Sequence, residues 1–344
     1  MRILKYISII SVFLLPILGA VLYRPQYLEY KGNIFNTYYR IKIFSPKFND
    51  DLPVEIKQIL QNINNQMSVF IANSELNKIN QALADKKITL SEDLSFVLQK
   101  SSQIHHETEG CFDPAIAPLI DLWGFGRKSE KIAESTPHEI EKKLQYSSFK
   151  KLNFYDNFKV VSKQNAETEL NLSAIAKGFA VDKLAQLLET KGYKNYIIEI
   201  GGEVRASGSR DKTGNGWNIG VGVPLENSLA NAFVVELSNL SVATSGDYRN
   251  FVIKGNQRYS HTINPLTGTP VTNNLASTTV FAPSCMEADA YATAIMVMGE
   301  DKGTIFADNN NLAVIFFTHS TDNGFNIKYS AKAKQLLRLK NETN

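Results

Sequence analysis

The chain has 344 residues, 43% of them hydrophobic, with 37 Lys and Arg against 34 Asp and Glu. That length and apolar share suit one large or two small folded domains and exclude a disordered or fibrous chain. A net charge of +3 with no concentrated basic stripe gives no argument for nucleic acid as a partner.

Arg2 and Lys5 precede an apolar run from about Ile7 to Tyr23, uncharged from Ile9 to Leu22. Cations ahead of such a run predict a secretory signal or an uncleaved membrane anchor over residues 1–24. Residues 25–344 are then expected as a soluble body on the far side of the membrane. Tyr38–Phe44 alternates and predicts a strand. Asp51 and Pro53 open a helix with Ile56, Leu60, Ile63 and Met67 as its apolar stripe. A second helix starts near Ser91 and buries Leu94, Val97, Leu98 and Ile104. The charged stretch 127–145 reads as an exposed connection and helix. Short strands follow near Leu152–Phe154 and Phe158–Val161.

A third helix is predicted over about Leu172–Thr190, stopped by Gly192, with Asn171 or Ser173 as its cap. After a strand at Tyr196–Ile200 comes a glycine-rich stretch from Gly201-Gly202 to Gly222. Further strands are expected at Phe233–Leu237, Phe251–Ile253, Thr278–Phe281 and Leu312–Phe317, and a helix from about Met286 to Met298, ahead of Gly299. Helices mixed with runs of strands, without regular βαβ repetition, predict an α+β fold with a largely antiparallel sheet. The two cysteines, Cys111 and Cys285, leave a single long-range disulfide open.

Five stretches could carry chemistry. Asp289 and Thr293 are four apart on a predicted helix that is small or apolar nearly all round. A carboxylate and a hydroxyl on one face suit a hard cation such as Mg²⁺. The same spacing also serves a plain local hydrogen bond. Around Asn171, Ser173 and Lys177, a helix N-terminus with a lysine one turn in favours an anionic group such as phosphate. His261 stands beside Asn-Pro and Thr-Gly turn signals, where a positioned base or a structural histidine would fit. Thr244–Asn250 reads as a polar loop after a strand. Finally, Gly110–Pro118 with Leu122-Trp-Gly-Phe-Gly126 makes a stiff aromatic turn that suits an aromatic ring system or ordinary packing.

Taken together, these stretches resemble the FAD:protein FMN transferase (ApbE-like) family. The carrying motifs are Ser68-Val-Phe with Asn73-Ser-Glu-Leu, Phe112-Asp-Pro, Leu122-Trp-Gly-Phe-Gly126, Leu172-Ser-Ala-Ile-Ala-Lys-Gly178 with Val181-Asp182, Ile200-Gly-Gly-Glu203, Thr244-Ser-Gly-Asp-Tyr-Arg-Asn250, Ser260-His-Thr-Ile-Asn-Pro-Leu-Thr-Gly268 and Glu287-Ala-Asp-Ala with Ala292-Thr293. The resemblance implies a single-domain, T-fold-like architecture and Mg-dependent transfer of FMN from FAD to a protein threonine, with release of AMP. It implies Mg²⁺ held by Ala174, Asp289 and Thr293, and FAD contacts at Phe70, Cys111, Phe112, Asp113, Asn171, Lys177 and Ile263, with His261 as the base. It also implies an acceptor in a respiratory membrane complex, on the periplasmic side of the inner membrane. The family often has Asp at the position of Asn171 and Tyr at that of Phe70, and many members carry a lipid-anchoring cysteine that this chain lacks. Two other activities fit the same site: hydrolysis of FAD to FMN and AMP, and flavin binding without catalysis.

Overall fold

The computed structural model describes residues 26–46, 49–127, 135–222, 231–247, 251–254, 257–320 and 324–337. The expected signal or anchor lies outside these residues. In chain order the elements are β1 (Gln26–Ile34), β2 (Thr37–Ser45), α1 (Leu52–Met67), α2 (Glu75–Asn80), β3 (Ile88–Thr89), α3 (Glu92–Glu107), α4 (Ala117–Leu122), α5 (Pro137–Leu144), β4 (Leu152–Tyr155) and β5 (Val160–Lys163). Then come α6 (Ala176–Thr190), β6 (Tyr196–Ile200), β7 (Glu203–Ser207), β8 (Trp217–Gly222), β9 (Asn231–Leu237), β10 (Leu240–Gly246), β11 (Phe251–Lys254), β12 (Gln257–Ser260) and β13 (Leu275–Ala282). The chain closes with α7 (Cys285–Asn309), β14 (Ala313–His319), β15 (Phe325–Tyr329) and α8 (Ala331–Leu336).

Eight strands form one sheet in the order β1-β2-β6-β7-β10-β13-β14-β15. Every neighbouring pair in it is antiparallel. The α+β, largely antiparallel expectation is borne out. The β1–β2 hairpin turns through Phe35 and Asn36, both left-handed at φ 53° and 58°, which matches the twist of the flanking strands. The sequence reading found β2 but not β1. Glu29, Lys31, Gly32 and Asn33 dilute the apolar alternation of this edge strand.

Alternation along the strands divides the molecule into two layers. Tyr196, Ile198 and Ile200 point into a core shared with Ile56, Leu60 and Ile63 of α1 and with Phe179, Leu184 and Leu188 of α6. A second part of the same face packs Val280, Val314 and Phe316 against Ala288, Ala292 and Ile295 of α7. The opposite face carries Val204, Ala206, Val242, Phe281 and Phe317, covered by Trp217, Val235 and Leu237 of the β8–β9 ribbon and by Ala333 of α8. Each fully buried aliphatic side chain of these cores contributes about 2 kcal/mol of apolar transfer free energy.

Two helices differ instructively from expectation. The third predicted helix begins at Ala176 instead of Leu172, with Ile175 in the cap position and no side-chain cap of its own. Neither Asn171 nor Ser173 caps it. Asn171 Oδ1 instead accepts the Ser173 amide in a local turn. The α7 segment does break at Gly299, whose φ of 76° and ψ of 178° are not helical, but a further helical stretch resumes and runs to Asn309. The exposed helix expected within 127–145 is α5, which has no buried residue. Cys111 and Cys285 are free thiols.

Candidate functional site

Two helices meet at their N-terminal ends on the helical face of the sheet. Gly178 makes that approach possible. A Cβ there would lie 2.4 Å from the Cys285 carbonyl oxygen and 2.7 Å from Met286 Cα. One turn further along α6, Asp182 holds the start of α7. Its carboxylate accepts the Ser284 hydroxyl at 2.8 Å and the amides of Cys285 and Met286 at 3.1 and 3.0 Å. Arg205 of β7 closes the arrangement on Asp182 Oδ1 at 2.8 Å. The first amides of α7 are thereby capped by a side chain from α6.

The favour is returned. Asp289, one turn into α7, accepts the Gly178 amide at 3.1 Å. Gly178 is the third residue of α6, and its N–H is one that an N-cap side chain would normally satisfy. Asp289 therefore caps α6 from the neighbouring helix. The Gly178 amide thus finds its acceptor in a side chain of the neighbouring helix. The Ala174 carbonyl sits in the turn just ahead of the helix.

The same carboxylate faces Lys177. Lys177 Nζ lies 3.5 Å from Asp289 Oδ1 and 2.9 Å from Glu203 Oε1. Glu203 starts β7 directly after Gly201 and Gly202, both left-handed at φ 62° and 110°, which lets β6 reverse at once into β7. Asp289 is 3% exposed and Glu203 4%. Two buried carboxylates thus share one ammonium, and with both carboxylates ionised the cluster is one positive charge short. Burial pushes Glu203 up to about 7 despite the pull of Lys177. Burial also raises Asp289, with Lys177 opposing. For Lys177, burial works against the charge, but Asp289 and Glu203 outweigh it and hold the ammonium above its ordinary value. One turn beyond Asp289, the Thr293 hydroxyl meets Ser245 of β10 at 3.3 Å.

Around this cluster the other sequence motifs are tied together. The Asn171 amide donates to the Pro114 carbonyl at 2.7 Å, joining the α6 approach to the Cys111–Pro118 segment. In that segment Asp113 is buried; its carboxylate accepts the amides of Ala115 and Phe149 and lies 3.4 Å from His105. That engagement leaves the backbone of Asp113 as its means of reaching a ligand. Cys111 is half-buried and Phe112 buried. Trp123 Nε1 donates to the Gly268 carbonyl at 2.8 Å, and the Phe125 ring stands edge-on to His261 at 6.4 Å between centroids. The aromatic turn thus supports the histidine loop. Ile263 is buried there and bridges to Pro270.

Phe70 is 59% exposed, yet its loop is locked. Asn77 donates to the carbonyls of Val69 and Ile71, both at 2.8 Å, and Ser74 to that of Ser68 at 2.7 Å. An aromatic ring held out on a fixed loop suits stacking with another ring. Thr244–Gly246, expected as the start of a loop, instead ends strand β10, because its backbone pairs in register with Ser277–Thr279 of β13; residues 248–250 lie outside the described residues. Sequence reading gave no role to Asp182, Glu203 or Ser245, although all three stand in quoted motifs. Glu203 had one usable signal: a lone acid directly after a Gly-Gly reversal in a strand of buried alternation.

Among the described residues, no group of three or more His, Cys, Asp or Glu side chains is arranged to hold a metal. A cation at this cluster would instead draw on mixed oxygens: the Ala174 carbonyl, the Asp289 carboxylate and the Thr293 hydroxyl. All are hard donors, and the missing positive charge fits a divalent ion.

Fold and site define an α+β protein whose helix-end cluster of Lys177, Glu203, Asp289 and Thr293 is suited to a cation and, through that cation, to an anionic ligand. The chain belongs to the ApbE family, whose model matches residues 35–316. It is 35% identical to an FAD:protein FMN transferase of Vibrio cholerae over 91% of this chain and 93% of that one. It is also 35% identical to one of Haemophilus influenzae over 98% and 99%. Among solved structures it resembles the flavin transferase ApbE from Vibrio cholerae, with a TM-score of 0.82, 33% identity and coverage of 90% of this chain and 99% of that one. The ApbE protein of Thermotoga maritima aligns with a TM-score of 0.81 and 29% identity, over 91% and 100%.

Proposed function

We propose that this chain transfers FMN from FAD onto a threonine hydroxyl of a partner flavoprotein, with Mg²⁺ and with release of AMP. It is an enzyme of the FAD:protein FMN transferase class. The observation that carries the finer reading is the charge-deficient cluster of Lys177, Glu203 and Asp289 at the N-terminus of α6. Such a cluster is costly without a cation and is matched by one.

The Ala174 carbonyl, Asp289 and Thr293 would hold the Mg²⁺. When bound, the ion offsets charge on the pyrophosphate oxygens. Lys177, paired with Glu203 and Asp289, keeps a positive charge at the same helix end and offsets part of the carboxylate charge there. Phe70 offers its exposed ring to a flavin or adenine, and the Cys111–Asp113 backbone and Ile263 shape the walls. His261, steadied by Phe125, takes the proton of the acceptor threonine as its oxygen bonds to the FMN-side phosphorus and the bond to AMP breaks. Positioning and charge do the work, as in other phosphoryl transfers. The N-terminal run supports placement on the periplasmic side of the inner membrane, where a respiratory complex presents the acceptor.

The test is co-expression with a flavin-acceptor protein, followed by mass spectrometry. Covalent FMN on one acceptor threonine is the expected result. Release of AMP from FAD without any acceptor modification would instead favour the hydrolase. A His261→Ala variant that keeps the wild-type pH–rate profile would remove His261 from its role as base.

A further inference from the structure

Lys177 stands between two buried carboxylates and leans toward one. It is 2.9 Å from Glu203 Oε1 and 3.5 Å from Asp289 Oδ1. Glu203 is placed by its pairing with Ile200 across the tight Gly201-Gly202 reversal that launches β7. A Cβ on Gly201 would come within 2.9 Å of Thr37 Cγ2. The second carboxylate oxygen of Glu203, Oε2, is buried and has no hydrogen-bond partner. An unsatisfied buried carboxylate oxygen is costly, and nothing in the fold core requires it here.

The geometry points to a positioning role: we infer that Glu203 holds the Lys177 ammonium off Asp289 and thereby keeps the Asp289 carboxylate open to a divalent cation. This inference rests on the reading that a cation binds at Asp289. Without Glu203, the ammonium has a single anionic partner within reach, and closing on Asp289 would put a full ion pair in the cation's place. With Glu203 present, Lys177 has somewhere else to go. Its three donors can engage Oε1 and the spare Oε2 together once the cation occupies Asp289. Glu203 then acts through Lys177 and touches neither cation nor substrate. A plain structural ion pair would affect stability but would leave cation affinity independent of the lysine.

The experiment measures Mn²⁺ binding to the full chain by electron paramagnetic resonance. The four proteins are the wild type, Glu203→Gln, Lys177→Met and the double variant. Glu203→Gln is expected to weaken binding by about tenfold or more, a coupling of about 1.4 kcal/mol. In the Lys177→Met background the same change should cost less than about threefold, because the competitor is gone. Equal losses in both backgrounds would overturn the inference, since Glu203 would then act by its field alone. So would wild-type affinity in Glu203→Gln. If Glu203→Gln does not fold, Lys177→Met decides the matter: binding at least as tight as wild type supports competition, and weaker binding overturns it. Asp289→Ala is the separate control. Undiminished Mn²⁺ binding in that variant defeats the cation reading itself, whatever Glu203 does.

Discussion

The two faces of the large sheet treat charge in opposite ways. On the helical face, Glu203 and Asp289 are nearly sealed from water and divide one ammonium between them. On the other face, a cavity of about 630 Å³ opens between the sheet and the β8–β9 ribbon, lined by Tyr27, Tyr38, Arg40, Glu199, Trp217 and Thr244 among others. There Glu29 has its own cation, Arg40, at 2.6 Å, and Glu199 has the Tyr38 hydroxyl at 2.5 Å. Those groups are well exposed, so water screens them and their pairing contributes little to stability. Both faces are thus polar at comparable positions along β6 and β7. Only the helical face keeps a charge imbalance where water cannot relieve it. A fold tolerates such an imbalance where a ligand is expected to correct it.

The strongest way to break this comparison is Asp289→Ala. It should lower FMN transfer roughly 10³-fold or more, measured as acceptor flavinylation. It should also lower the melting temperature, because α6 loses its cap, worth about 1 kcal/mol. Near-normal transfer would mean that the imbalance is only structural.

Gly178→Ala comes next and tests the helix approach that creates the cluster. The added methyl meets backbone, which cannot rotate away, so the expected loss is about 2–3 kcal/mol in urea unfolding. A loss under about 0.5 kcal/mol, the scale of an ordinary surface change, would show that α6 and α7 are not locked together there.

A smaller effect is the pH dependence of stability without metal. Glu203 holds its proton up to about 7 when folded, against 4.5 when unfolded. Between those values the folded state binds the extra proton, so stability falls as pH rises through that window. The total change across that window is on the order of 3 kcal/mol. Glu203→Gln, which cannot ionise, should flatten the curve in urea midpoints taken at about pH 5 and about pH 7.5. A wild-type slope of the opposite sign would contradict the burial of this carboxylate. The least effect is expected on the other face: Arg40→Ala should leave both melting temperature and flavin transfer unchanged. A clear loss of transfer would show that the far cavity serves the reaction.

Much of this molecule was legible along the chain. The period-2 pattern of Tyr38–Phe44 and the stripe Ile56, Leu60, Ile63 and Met67 gave β2 and α1, because burial on one face imposes its period on the residues that face it. The small and apolar surroundings of Asp289 announced a buried carboxylate before any partner was known. The ordered motifs fixed the family, and the structure joins several of them, with Asn171 reaching Pro114 and Phe125 meeting His261.

Tertiary structure alone decided the rest. The start of α6 was misplaced by four residues because its cap is not local: Asp289, 111 residues downstream, satisfies the Gly178 amide. At α7 Asp182 adds to a local cap, since Ser284 already accepts the Glu287 amide. Local propensity cannot register a cap that arrives from another helix. Nor can composition reveal that Glu203 and Asp289 share a single lysine. Charge balance is a property of distances under a few ångströms in a medium that screens poorly, and those distances exist only once the helices have docked on the sheet.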